Sequence, residues 1–151
     1  MATLDIRDRH HWLITPQAIQ PGTYYLRNVL RNKDSLAVER HADKPFICCG
    51  AGPYSDDQLW TLSPAGDGFT ITNMENKKVL GIVDGQLVGL VGLKDVWNFN
   101  PVGTQGAYEI RHADLAINLV SWATTTGIHE RGHWEDQHWW RYHILGTRLD
   151  Y

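Results

Sequence analysis

The segment from Gly127 to His143, GIHERGHWEDQHWWRYH, holds four of the eight histidines and three of the seven tryptophans. Within it, His129-Glu130-Arg131-Gly132-His133 fits the H-E-x-x-H pattern, in which two histidines one helical turn apart hold zinc and the glutamate acts as a base. That chemistry needs a helix. Thr124, Thr125, Thr126 and Gly127 precede the motif and Gly132 interrupts it, and all of these disfavour helix. Gln137 and His138 supply no third ligand at the required spacing. No metal site and no other cofactor is expected.

The same residue types suit recognition of a sugar. Aromatic faces stack on the apolar side of a sugar ring, and Asp, Asn, Gln and His hydrogen-bond its hydroxyls. Trp134, His133 and Asp136 are the first candidates, on an expected loop before the last strand, and Trp122 is another. Alternatively, residues 39–46, ERHADKPF, could form a rigid loop that enters a protease cleft. There Arg40 and Lys44 would supply the basic side chain and Pro45 the stiffness. The adjacent Cys48 and Cys49 read as reduced thiols packed as small hydrophobes, since a disulfide between neighbours is strained. No Gly-x-Ser-x-Gly, phosphate-binding or dinucleotide motif occurs, nor a catalytic carboxylate pair. The chain therefore reads as non-enzymatic.

Such residues need a scaffold, and the composition allows one. The 151 residues, 42% hydrophobic and 21% charged, suit one globular domain. A formal charge of -3 without a basic run gives no face for nucleic acid. No apolar run approaches the roughly 20 residues of a membrane helix. The first twenty residues carry charges and no apolar signal core, no Asn-x-Ser/Thr sequon occurs, and the two cysteines are vicinal; together these point to the cytoplasm.

Short β-rich runs separated by Gly, Asp, Asn and Pro predict an all-β chain. They are 23–29, 35–39, 46–49, 59–62, 69–72, 79–83, 86–90, 96–99, 107–111, 115–122 and 139–145, with a weak twelfth near Gly127–His129. A unit recurs within them. Tyr24-Tyr25-Leu26, Phe69-Thr70-Ile71 and Tyr108-Glu109-Ile110 open it, preceded by Gly22, Gly68 and Gly106. Trp60, Trp97, and Trp139 or Trp140 close it. One such unit cannot bury its apolar face alone. Three around a pseudo-threefold axis close a six-stranded barrel capped by three hairpins, a β-trefoil of three four-stranded repeats. A β-sandwich also has many short strands, but the matched Trp-closed units favour the trefoil. The expected organisation is an N-terminal extension, 1–21, packed on a trefoil domain, 22–151. Its repeats span about 22–66, 67–104 and 105–146.

Asp57-Gln58-Leu59-Trp60 and Asp136-Gln137-His138-Trp139 carry the Q-x-W signature, and Asp95-Val96-Trp97 stands in its place in the middle repeat. With the segment ITNMENKKVLGIVDG, 71–85, these resemble ricin B-type trefoils over about 125 residues. More narrowly, the chain resembles small fungal β-trefoils without a signal peptide, which include ricin B-like lectins and mushroom protease inhibitors of a defence repertoire. The resemblance implies that each Trp is core and that the Gln braces the turn beside it. Ricin-type galactose sites use an acidic residue on the second strand of a repeat. The matching positions here are Ala37, Gly81, and Ala116 or Asn118, none of them a carboxylate. A lectin built on this chain therefore uses a different surface or another sugar. The expectation is a carbohydrate-binding protein with a glycan partner. The alternatives are a protease inhibitor acting through a surface loop and a lectin-like subunit that binds another protein.

Overall fold

Alternation along the first strand already separates inside from outside. In Gly22–Asn28 (β1), Tyr24, Leu26 and Asn28 are buried while Thr23, Tyr25 and Arg27 are half-buried, the period-two pattern of a strand with one core face. A computed structural model describes residues 19–28, 35–48, 56–102, 107–119, 126–130 and 138–143. Eleven further strands lie among these residues: Ser35–Ala37 (β2), Phe46–Cys48 (β3), Leu59–Ala65 (β4), Gly68–Asn73 (β5), Lys78–Val83 (β6), Gln86–Val91 (β7), Asn98–Pro101 (β8), Ala107–His112 (β9), Leu115–Leu119 (β10), Thr126–Glu130 (β11) and His138–His143 (β12). No helix among the described residues is long and apolar enough to cross a membrane.

Six strands form a closed wall. β1 pairs antiparallel with β4 and β12, β4 with β5, and β9 with β8 and β12. The circle closes between β5 and β8 through one residue pair, Phe69 and Trp97, whose main chains exchange hydrogen bonds of 2.9 and 2.7 Å. Gly68 permits that approach, because a Cβ there would overlap the Trp97 carbonyl oxygen. Three hairpins, β2–β3, β6–β7 and β10–β11, lie outside the wall. Asp84 and Gly85 turn the second of them with φ of 52° and 75°, the left-handed pair that suits a two-residue hairpin. This is the β-trefoil.

The threefold relation is visible at single atoms. Trp60, Trp97 and Trp139 are 0%, 0% and 1% exposed. Their indole N–H groups donate to the carbonyls of Leu36, Leu80 and Ile117 at 2.8, 3.0 and 3.2 Å. Each of these carbonyls lies on the inner strand of a hairpin, so each Trp ties barrel to hairpin. The same tryptophans sit opposite Tyr24, Phe69 and Tyr108 on the opening strands. Leu26, Leu62, Ile71, Leu80, Leu87 and Ile110 fill the space between. Burying an aromatic side chain removes about 150–250 Å² from water, worth roughly 4–6 kcal/mol as an upper bound. The three tryptophans are therefore the largest single contributors to the core.

Several boundaries differ from the sequence reading. β2 stops at Ala37 because the Val38 carbonyl accepts Asn76 Nδ2 at 2.9 Å instead of a ladder partner. β8 starts after Trp97 rather than before it. The weak twelfth strand is β11, paired with β10 from Thr126 to Glu130. Trp139, not Trp140, closes the third unit, being buried beneath Ile117. Of the N-terminal extension only its end is described: Ile19 is buried in the core, and the Gln20 carbonyl accepts the Tyr24 hydroxyl at 2.6 Å.

Candidate functional site

On the hairpin side of the barrel, Asp56–Gln58 forms a 3-10 turn that leads into β4. Gln58 is buried, and its Oε1 accepts Ser35 Oγ at 2.8 Å. The Q-x-W glutamine thus braces the start of β2. Asp57, one residue earlier, is half-buried, and its carbonyl accepts Asn73 Nδ2 at 2.8 Å. Asn73 Oδ1 in turn accepts the amides of Glu75 and Asn76 at 3.1 and 3.3 Å, a side chain standing in for turn backbone. This chain of bonds fixes Asp57 beside Glu75.

The loop between β2 and β3 completes the arrangement. Glu39 to Ala42 make a tight turn, with Ala42 N donating to the Glu39 carbonyl at 3.3 Å. Lys78 from β6 is only 7% exposed and holds both ends of this turn. Its Nζ donates to the Glu39 carbonyl at 2.8 Å and to the Ala42 carbonyl, and lies 3.7 Å from the Asp43 carboxylate. Gly89 N donates to the Asp43 carbonyl at 2.7 Å, and Thr126 Oγ1 to the Pro45 carbonyl at 2.8 Å. Both other hairpins therefore pin this loop. Between the turn, Asp57 and Glu75 lies an open crevice lined by Glu39, Arg40, His41, Asp57 and Glu75. Three carboxylates, a guanidinium and an imidazole from three chain segments can accept and donate hydrogen bonds to a polyhydroxylated ligand.

Of the residues expected from sequence, Arg40 and Lys44 are exposed and Pro45 is buried. Arg40 lines the crevice at the apex of the turn. Lys44 sits between two main-chain carbonyls, of Asp43 and Pro45, that are both hydrogen-bonded inward. His133, Trp134, Asp136 and Trp122 lie outside the described residues, as does the Cys48–Cys49 side-chain pair. His129 and Glu130 are in β11, opposite Ala116 and Leu115. Extended backbone there removes the helical spacing that the H-E-x-x-H chemistry needs.

The second-strand positions can also be assigned. Ile117 takes the place of Leu36 and Leu80 under its Trp, so Ala37, Gly81 and Asn118 are equivalent. Ala37 is fully buried. A Cβ on Gly81 would lie 2.7 Å from Leu93 Cδ1 and 2.8 Å from Asp95 Oδ1. Asp95 occupies the Q-x-W glutamine position, and its Oδ2 accepts the Ile82 amide at 3.1 Å. A carboxylate thus stands at the second strand of the middle repeat, carried by a different residue. Sequence reasoning missed Asp95, Glu39, His41, Asp57 and Glu75. The signal for two of them was their place at or next to the glutamine of a Q-x-W unit.

No family model and no curated protein matches the chain. Solved structures do. The chain is similar to the ricin B-like lectin of Macrolepiota procera, solved in complex with lactose, at TM-score 0.72 and 17% identity over 85% of this chain and 99% of that one. It is similar to the Rhizoctonia solani agglutinin at TM-score 0.68 and 21% identity over 84% and 98%. A mosquitocidal holotoxin matches at TM-score 0.70 and 17% identity over 82% of this chain but only 16% of its own. At these identities the likeness is one of fold.

Proposed function

We propose that this is a non-enzymatic carbohydrate-binding protein of the ricin B-like type, acting in fungal defence from the cytoplasm, with a glycan as partner and no nucleic acid. The crevice carries the reading. Glu39, Arg40, His41, Asp57 and Glu75 line one opening, and the turns that carry them are held by bonds to main-chain carbonyls. Similarity to a lectin and an agglutinin over nearly the whole of their chains supports the same view. His133, Trp134, Asp136 and Trp122 are the further sugar-contacting residues that the sequence offers. No acidic residue stands at 37, 81 or 118, and the Asp95 carboxylate comes from the Q-x-W position instead, so the specificity differs from a ricin-type galactose site.

A glycan array read with the wild type and Trp134→Ala tests the proposal. We expect selective binding by the wild type and at least tenfold weaker binding by the variant, with unchanged circular dichroism. An array without binding overturns the reading, and undiminished affinity removes Trp134 from the site.

One observation favours a second reading, a protease inhibitor: the loop bearing Arg40, Lys44 and Pro45 is pinned from both neighbouring hairpins, the rigidity an inhibitory loop requires. Inhibition of a trypsin-type protease that disappears in Lys44→Ala, with no glycan bound, would reverse the order of the two. A pull-down partner bound without sugar would instead favour a lectin-like subunit.

A further inference from the structure

The barrel is least complete where β5 meets β8. Five of its six seams are ladders of several pairs, whereas this one is a single pair. Beyond that pair the ladder is replaced by a side chain, since Asn98 Nδ2 donates to the Asp67 carbonyl at 3.1 Å. The wall opens there into a concavity of about 280 Å³, lined by Asp67, Phe69, Asn98, Phe99, Asn100 and Arg111, among others. It lies on the barrel wall, built from none of the crevice residues.

The lining is unusual in what it leaves unused. Asn98 stands opposite Arg111 in the β8–β9 ladder, and Asn100 lies two residues along on the same face of β8. Arg111 and Asn100 are half-buried, and neither side chain makes a hydrogen bond or ion pair among the described residues. A half-buried guanidinium keeps five donors in a rigid fork that matches a carboxylate, and the carboxamide adds two donors and an acceptor beside it. The rings of Phe69 and Phe99, edge to face at 6.0 Å, supply the apolar floor. The volume stands at the small end of ligand pockets, about 300–1,000 Å³, which fits one sugar ring rather than a chain.

We infer that this opening between β5, β8 and β9 is a binding site for a carboxylate-bearing monosaccharide unit, a uronic acid, whose carboxylate pairs with Arg111 while Asn98 and Asn100 read its hydroxyls. It is independent of the crevice, so either can fail without the other.

Titration calorimetry with methyl glucuronide and with neutral methyl glucoside tests the site, using wild type, Arg111→Ala and Asn100→Ala. The wild type should bind the glucuronide at least tenfold more tightly than the glucoside, and added salt should narrow the gap. Arg111→Ala should abolish the preference, and Asn100→Ala should weaken binding of both. Equal affinity for the two glycosides, no glucuronide binding by the wild type, or an undiminished preference in Arg111→Ala overturns the inference. Thermal melts of each variant separate a lost site from a lost fold.

Discussion

Three indole nitrogens do more to define this molecule than any charged group. Trp60, Trp97 and Trp139 each fill the core and each donate to a hairpin carbonyl. Trp97→Phe keeps most of the apolar volume but leaves the Leu80 carbonyl without its donor. We expect a loss of about 2–4 kcal/mol, combining a smaller ring with an unpaired buried acceptor, measured by urea unfolding. A second residue reports through pH. Burial, aided by the Asp56 charge and opposed by Arg27, raises the Tyr25 phenol above its ordinary 10.0. The folded state then holds the proton more tightly than the unfolded one. The stabilisation is complete below pH 10.0 and is lost as pH rises through the folded value. Tyr25→Phe should flatten that alkaline decline in melting temperature, and one phenol titrating above 10.0 should vanish from the absorbance titration. The core tryptophans were legible in the sequence, since a large aromatic at a recurring place has few other uses. Which of Trp139 and Trp140 is core was not, because adjacent residues in a strand differ only in the face they take.

At the scale of elements, the loop between β2 and β3 shows what sequence cannot supply. Its composition, charged and closed by Pro45, marked it as exposed and stiff. Its actual restraint comes from Lys78, Gly89 and Thr126, residues remote in the chain. Replacing Lys78 with Met keeps the bulk and removes the donor from two carbonyls. The amides of Ala42 and Gly89, which close the loop's own bonds, should then exchange at least tenfold faster, while those of β4 and β5 stay protected. Unchanged exchange at both would mean that the ammonium does not hold the loop. The Asp95 substitution was equally hidden. A missing glutamine and a missing second-strand acid read separately as two losses, yet a Cβ at Gly81 would meet both Leu93 and the Asp95 carboxylate. Only proximity joins them.

For the whole molecule, the pseudo-threefold plan was readable from spacing and aromatic type, because each unit must bury its apolar face on its neighbours. The inequality of the three joins was not. The β1–β4 seam has four residue pairs and β9–β12 three, whereas β5–β8 has one. Opening of the wall should therefore start between β5 and β8. Native-state hydrogen exchange should place the Phe69 and Trp97 amides at a lower opening free energy than their counterparts Tyr24 and Trp60. Equal protection across both seams would show that the barrel opens only as a unit.

Gly68 gives that weak join its final consequence. A barrel is free of strand edges only while it stays closed, and here closure depends on one residue having no side chain. Any larger residue at 68 would wedge β5 from β8 and bare two rows of main-chain donors and acceptors. Such edges pair readily with other copies of a chain. The smallest residue in the wall thus keeps both of those edges covered.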